Sequence, residues 1–100
     1  MNWSVNFSTK AVKQVNKLGK VSKSALLALQ LLVEDLKSKG PYPGSPWQSY
    51  GKLNNKKTID RRHCHLIKGN PTYVCCWEVI DKKVQIIEVY YAGTHEKAPY

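Results

Sequence analysis

The sequence has few acidic residues and no long apolar run. Seven Asp and Glu stand against sixteen Lys and Arg, which gives a formal net charge of +9 over 100 residues. Such an excess of positive charge favours an anionic partner: nucleic acid, an acidic protein or a membrane surface. The most apolar stretch, 25–36, is interrupted by Gln30, Glu34 and Asp35. No segment is therefore expected to cross a membrane.

Cysteine is also scarce, and the three cysteines form no CxxC pair of the kind that binds zinc. Cys75 and Cys76 are adjacent, so on a strand they would face opposite sides and would not bond to each other. Residues 1–7 lack the basic and apolar regions of a secretory signal. Together these features predict reduced, buried thiols and a cytoplasmic protein.

The hydrophobic periodicity predicts a single α+β domain spanning residues 1–100. A short strand at 3–7 precedes two helices, the first capped by Ser8 or Thr9 and ended by Gly19, the second starting at Ser22 or Ser24 and stopped at 40–41. A loop is expected over 41–50, followed by strands at 58–67, 72–80 and 83–91. The predicted order is β-α-α-β-β-β, an antiparallel sheet with a helical hairpin covering one face.

The only three histidines lie in the second half of the chain. His63 and His65 are two residues apart on a predicted strand, so they share the uncovered face, whereas Cys64 and Leu66 face the helices. Two adjacent imidazoles could serve as base and acid, or one could bind phosphate while the other titrates. The alternative is a pair of exposed strand histidines without a role. Gly93 would permit a bend that returns His95 toward the sheet, unless the segment is a disordered tail.

A basic stretch leads into the histidine strand. Cations of this kind supply most of the affinity for an RNA backbone, although the stretch could also be a solvated edge. A three-histidine zinc site was the other candidate, but no carboxylate ligand lies near in sequence and the surrounding charge disfavours a divalent cation, so no metal or cofactor is expected. The basic residues are Lys52, Lys56, Lys57, Arg61, Arg62 and Lys68.

The element order and two segments resemble the RelE/ParE toxin superfamily. The segments are 3–11, WSVNFSTKA, and 93–100, GTHEKAPY. The Gly-Thr-His ending followed by a late aromatic is closest to the YafQ-like branch. This resemblance implies a toxin of a type II toxin–antitoxin system that cuts messenger RNA in the ribosomal A site and is held inactive by an antitoxin protein. The implied reaction is metal-independent attack of a ribose 2′-hydroxyl on the adjacent phosphate.

The resemblance also implies roles for particular residues. His63 and His65 match the strand where RelE has lysines and where YafQ has an acid and a histidine. His95 matches a position where the family has an arginine or histidine near the cleaved phosphate, and Tyr100 matches the final aromatic that stacks on or orients the nucleotide. His65 and His95 are the expected titrating pair. Arg61, Arg62, Lys56, Lys57, Lys68 and Glu96 are RNA- or phosphate-binding candidates, and Lys52 is expected to contact ribosomal RNA.

One position departs from the family pattern. RelE has an arginine just after the tyrosine of the next strand, where this chain has Tyr73 followed by Val74. The missing charge would have to come from Arg61, Arg62 or Lys68. Two other functions remain open: a ParE-like inhibitor of DNA gyrase, which the histidines disfavour, and a catalytically degenerate member that only binds antitoxin or RNA, which Val74 favours.

Overall fold

Seven regular elements and one short 3₁₀ helix make up the fold. The computed structural model describes residues 2–44, 47–53 and 59–99, and it describes side chains outside 48–53. The elements are β1 (Ser4–Phe7), α1 (Thr9–Val21), α2 (Lys23–Lys39), β2 (Gln48–Leu53), β3 (Asp60–Ile67), β4 (Tyr73–Asp81), β5 (Ile86–Thr94) and a 3₁₀ helix (His95–Lys97).

The strands form one sheet in the order β1-β5-β4-β3-β2. The predicted α+β class is confirmed, but the sheet is mixed rather than purely antiparallel, because β1 pairs in parallel with β5. The predicted loop over 41–50 also ends early, since β2 begins at Gln48 and pairs with β3. Gly51 and the polar residues around it give β2 no alternating pattern. Backbone pairing along the edge of β3 therefore makes β2 a strand.

The helix boundaries follow from capping, with one difference from the prediction. Ser8 and Ser22 are the N-caps, each accepting a hydrogen bond from a backbone N–H three residues later. Gly40 ends α2 with φ of 90°, a conformation that favours glycine. Gly19 does not end α1, which continues to Val21. A Cβ at Gly19 would lie 3.1 Å from Leu26 Cδ2, so glycine lets the two helices approach closely.

Both helices cover the same face of the sheet. Three of the leucines of α2, Leu29, Leu32 and Leu36, are at most 2% exposed and pack on side chains from the central strands. The sheet side of this core consists of Cys64, Leu66, Cys75, Trp77, Ile87, Val89 and Ala92. All three cysteines are reduced and buried, as predicted. Apolar burial on this scale is the main stabilising contribution to the fold.

The opposite face carries a second, smaller apolar cluster. Val74, Cys76 and Tyr91 are buried there, and Ala98 packs against them from the segment that follows β5. This segment starts later than expected, because β5 runs to Thr94 rather than ending at residue 91. The open face is thus partly covered by the chain's own last residues.

Candidate active site

Strand β3 separates core side chains from histidines. Cys64 and Leu66 lie in the core beneath the helices, and His63 and His65 face the other side, as alternation predicts. The Cα partner of His65 on β4 is Val74, and that of His63 is Cys76, both members of the smaller cluster. Each histidine therefore lies beside a buried apolar side chain and is itself half-buried.

His95 returns to the sheet and meets His65. The two ring centroids are 5.6 Å apart, and the rings cross at 83°. The backbone N–H of His95 donates to the carbonyl oxygen of Thr72 at 2.8 Å, and the Tyr91 hydroxyl donates to the carbonyl oxygen of Thr94 at 2.7 Å. These bonds attach the segment on both sides of the bend. His65 and His95 are thus adjacent, and their roles in proton transfer stay predictions.

Burial and mutual repulsion keep the strand histidines neutral. The pKa of His63 is lowered, chiefly because burial penalises the charged imidazolium, and further by the positive charges of His65 and His95. The pKa of His65 is lowered by burial first, then by His95 and Lys68. A neutral imidazole near pH 7 has a lone pair free to accept a proton. The Nδ1 atom of His65 is buried and has no hydrogen-bond partner among the described residues.

Two clefts open beside His65. One has a volume of about 590 Å³ and lies between α2 and the end of β3, lined by Leu31, Glu34, Asp35, Trp47, His65, Leu66 and Lys68. The other, about 330 Å³, lies between the β3–β4 turn and the 3₁₀ helix, lined by His65, Gly69, Asn70, Pro71, Thr72, Thr94, His95 and Glu96. We call them the α2 cleft and the turn cleft. The predicted residues Lys68 and Glu96 therefore each line a cleft that His65 also lines.

The two predicted arginines are engaged by carboxylates. Arg61 shares the histidine face, donating from Nε to Glu78 Oε1 at 2.8 Å while its guanidinium stacks on the Tyr90 ring. Arg62 donates from Nε to Asp60 at 2.8 Å.

Strand alternation explains the position of Arg62. Its guanidinium stacks on the ring of Tyr42, which follows α2 on the covered side of the sheet. Arg62 lies an odd number of residues from His63 and His65, so alternation turns its side chain to the face opposite theirs. Its contact with phosphate stays a prediction.

Several predicted residues cannot be placed at the site. Lys56, Lys57 and Tyr100 lie outside the described residues. Lys52 lies in β2, where it is the Cα partner of Arg62, and its side chain is also outside the described part. The roles proposed for these four residues stay predictions.

The sequence reasoning missed the ring that supports Arg61. Tyr90 and Tyr91 are adjacent, so alternation would place them on opposite faces, yet both contact the smaller cluster. The pairing between β4 and β5 shifts at this point, with Cys76 opposite Tyr91 and Trp77 opposite Val89. Tyr90 is the extra residue of a β-bulge, which turns two successive side chains to one side. The adjacent tyrosines alone carried no signal of it.

The described part of the chain contains neither a metal-binding cluster nor a membrane-spanning helix. In residues 2–44, 47 and 59–99, no group of three or more His, Cys, Asp and Glu side chains is arranged to hold a metal ion. No helix in the described part of the chain is long and apolar enough to cross a bilayer.

Known proteins offer one informative comparison. No protein-family model and no curated protein matches this sequence. Among solved structures, the chain is similar to one described as the structure of the YoeB dimer from Staphylococcus aureus, with a TM-score of 0.72 and 15% sequence identity. The similarity covers 95% of this chain and 99% of that chain. The two chains therefore share a fold over nearly their whole lengths, and membership of the YafQ-like branch stays a prediction.

Proposed function

We propose that this protein is the toxin of a toxin–antitoxin pair and inhibits translation by cutting messenger RNA on the ribosome. The observation that carries the proposal is the contact between His65 and His95, whose rings lie 5.6 Å apart beside two open clefts. The fold shared with the YoeB structure and the resemblance of the sequence to RelE-like toxins support the same function. Fold alone does not define an activity, so the histidine pair is the stronger argument.

The proposed reaction needs one base and one acid. His65, whose lowered pKa keeps it neutral, accepts the proton of a ribose 2′-hydroxyl while that oxygen attacks the adjacent phosphorus. The bond from phosphorus to the 5′-oxygen of the next nucleotide breaks, and His95 donates a proton to that leaving oxygen. The products are a 2′,3′-cyclic phosphate and a 5′-hydroxyl, which balances protons without a cofactor.

The partners proposed from the sequence are an antitoxin, the ribosome and its message. A net charge of +9 suits both RNA and an acidic protein segment. An antitoxin segment lying on the open face would cover the histidines and so stop cleavage. Co-purification with the product of an adjacent short reading frame is the expected result. A chain that accumulates in cells without any partner and without harm would contradict this part of the proposal.

Mapping of message 5′ ends tests the activity. After induction of the wild type, new 5′ ends should accumulate inside reading frames, and His65→Gln and His95→Gln should each abolish them. Lys83→Gln is the control, because Lys83 is exposed in the β4–β5 turn, at the far end of β4 from the histidines. Cleavage by both histidine variants at the wild-type level would refute the site.

The same induction separates this function from the gyrase alternative. An inhibitor of gyrase leaves messages intact and damages DNA instead. The retained His65–His95 pair has no part in that function. Intact messages together with a DNA-damage response would therefore replace the ribonuclease proposal with the gyrase one.

A further inference from the structure

Val74 stands where RelE has an arginine, and its surroundings in the structure suit an apolar residue. Val74 is fully buried and is the Cα partner of His65 on one side and of Gly93 on the other. It belongs to the smaller apolar cluster beside His65, where an unpaired charge would be strongly unfavourable. Any charge that stabilises the cleaved phosphate must therefore come from the rim of the clefts.

A β-bulge at the end of β3 brings Lys68 to that rim. His65 pairs with Val74 and Ile67 with Tyr73, so two residues of β3 are opposite one step of β4. Leu66 and Ile67 consequently both pack on the helix-covered core. The next residue, Lys68, lies just past the end of β3 and lines the α2 cleft with His65.

Lys68 is also a cation that is not neutralised by its neighbours. Its side chain is exposed and lines the α2 cleft together with His65. It forms no ion pair with any residue in the described part of the chain, whereas Arg61 and Arg62 are each paired with a carboxylate.

The acidic residues of the α2 cleft have other partners. Glu34 pairs with Lys37 at 3.7 Å. Asp35 pairs with Lys39 at 3.9 Å and accepts a hydrogen bond from Trp47 Nε1 at 2.8 Å. Glu34 and Asp35 thus form ion pairs with lysines of α2, and neither forms one with Lys68. An anion entering the cleft would find its strongest attraction at the lysine.

We propose that Lys68 binds the non-bridging oxygens of the cleaved phosphate and stabilises the charge that develops there during attack. This inference rests on the ribonuclease reaction proposed above. His65 stands between the α2 cleft and the turn cleft, with Lys68 on one side and His95 on the other. A phosphate at His65 would thus be met by a base, an acid and a cation from three directions. Lys68 takes over the charge that RelE-like sequences place where this chain has Val74.

Phosphate binding tests Lys68 separately from cleavage. Uridine 3′-monophosphate is titrated into the full chain while the imidazole proton signals of His65 are followed by NMR. The wild type and Lys83→Ala should show saturable shifts, and Lys68→Ala should bind about 10-fold or more weakly, as expected for a lost hydrogen bond to a charged group. Lys68→Arg should restore binding. Equal binding by the wild type and Lys68→Ala, or no binding by the wild type, overturns the proposal.

Single-turnover cleavage on programmed ribosomes gives the catalytic readout. At saturating protein, Lys68→Ala should cut about 10²- to 10³-fold more slowly, the usual loss when one group that stabilises developing charge is removed. A change in half-saturation alone, with the saturated rate intact, would contradict a catalytic role. If the wild type cuts no message, the ribonuclease proposal fails, and the nucleotide titration still decides whether Lys68 binds phosphate.

Discussion

The segment that carries His95 to His65 follows the end of β5, where the Tyr91 hydroxyl lies close to Gly93. The Tyr91 hydroxyl donates to the carbonyl oxygen of Thr94, and a Cβ built on Gly93 would lie 2.8 Å from that hydroxyl oxygen and 3.1 Å from Cζ of the same ring. Tyr91 is 8% exposed, so its ring has little room to move away. We therefore expect Gly93→Ala to push the ring and break the bond to Thr94.

The cost can be worked out for each change. Gly93→Ala overpacks a buried contact and should lower the free energy of unfolding by about 1–3 kcal/mol. Tyr91→Phe removes one hydrogen bond and should cost about 0.5–1.5 kcal/mol. In the double variant the Tyr91 hydroxyl is absent, so the alanine Cβ no longer clashes with it. The hydrogen bond to Thr94 is also already lost, so Gly93→Ala cannot remove it a second time. The double variant should therefore be less destabilised than the sum by about 0.5 kcal/mol or more.

Urea denaturation of the four proteins measures this coupling. Tyr73→Phe is the matched control, because its hydroxyl forms no side-chain hydrogen bond among the described residues, and it should stay within about 0.5 kcal/mol of the wild type. Gly93→Ala should also slow message cleavage at 25 °C by more than the loss of folded protein explains, since His95 follows two residues later. Additive effects of Tyr91→Phe and Gly93→Ala, with cleavage unchanged, would refute the reasoning.

Three further predictions concern stability and the thiols. Trp77→Phe removes the buried hydrogen bond from Nε1 to the carbonyl oxygen of Pro41 and should lower the urea-derived free energy of unfolding by about 1–3 kcal/mol; an unchanged midpoint would contradict it. The pKa values of His63 and His65 are lowered in the folded state, so the unfolded chain binds protons more readily at these two residues. The free energy of unfolding should therefore be highest above about pH 6.5 and should fall as the pH drops below that value. Urea midpoints of His63→Gln/His65→Gln should therefore decline less in acid than those of the wild type, and parallel declines would count against the burial argument. Burial raises the pKa of Cys64 to about 12, so a thiol reagent at neutral pH should label none of the cysteines until denaturant is added, and rapid labelling of the native protein would show that the core is open.

The elements that sequence predicts well are those with strong local patterns. The two helices have apolar stripes and serine caps, and the strand with His63 and His65 alternates cleanly, so their positions follow from periodicity. β2 was missed because its residues have no alternation and become a strand only by pairing with β3. The parallel pairing of β1 with β5 is a contact between chain segments far apart in sequence, and local pattern does not encode it.

The candidate site divides in the same way. The shared face of His63 and His65 follows from residue spacing. The bend expected at Gly93 is wrong, because Gly93 is paired with Val74 inside β5 and the chain leaves the strand only after Thr94. The facing of Tyr90 and the position of Lys68 just past the end of β3 each follow a β-bulge, and these bulges arise from packing between strands rather than from either strand's own residues. The opposite orientation of Arg62 also follows from alternation.

The pH dependence of single-turnover cleavage tests the proton-transfer pair most directly. On programmed ribosomes, the wild-type rate should rise and then fall with pH, because a neutral base and a protonated acid are both required. His65→Gln should remove the limb of the profile that reports the base and lower the rate by about 10²- to 10⁴-fold. A His65→Gln protein that cuts at the wild-type rate with an unchanged profile would contradict the account.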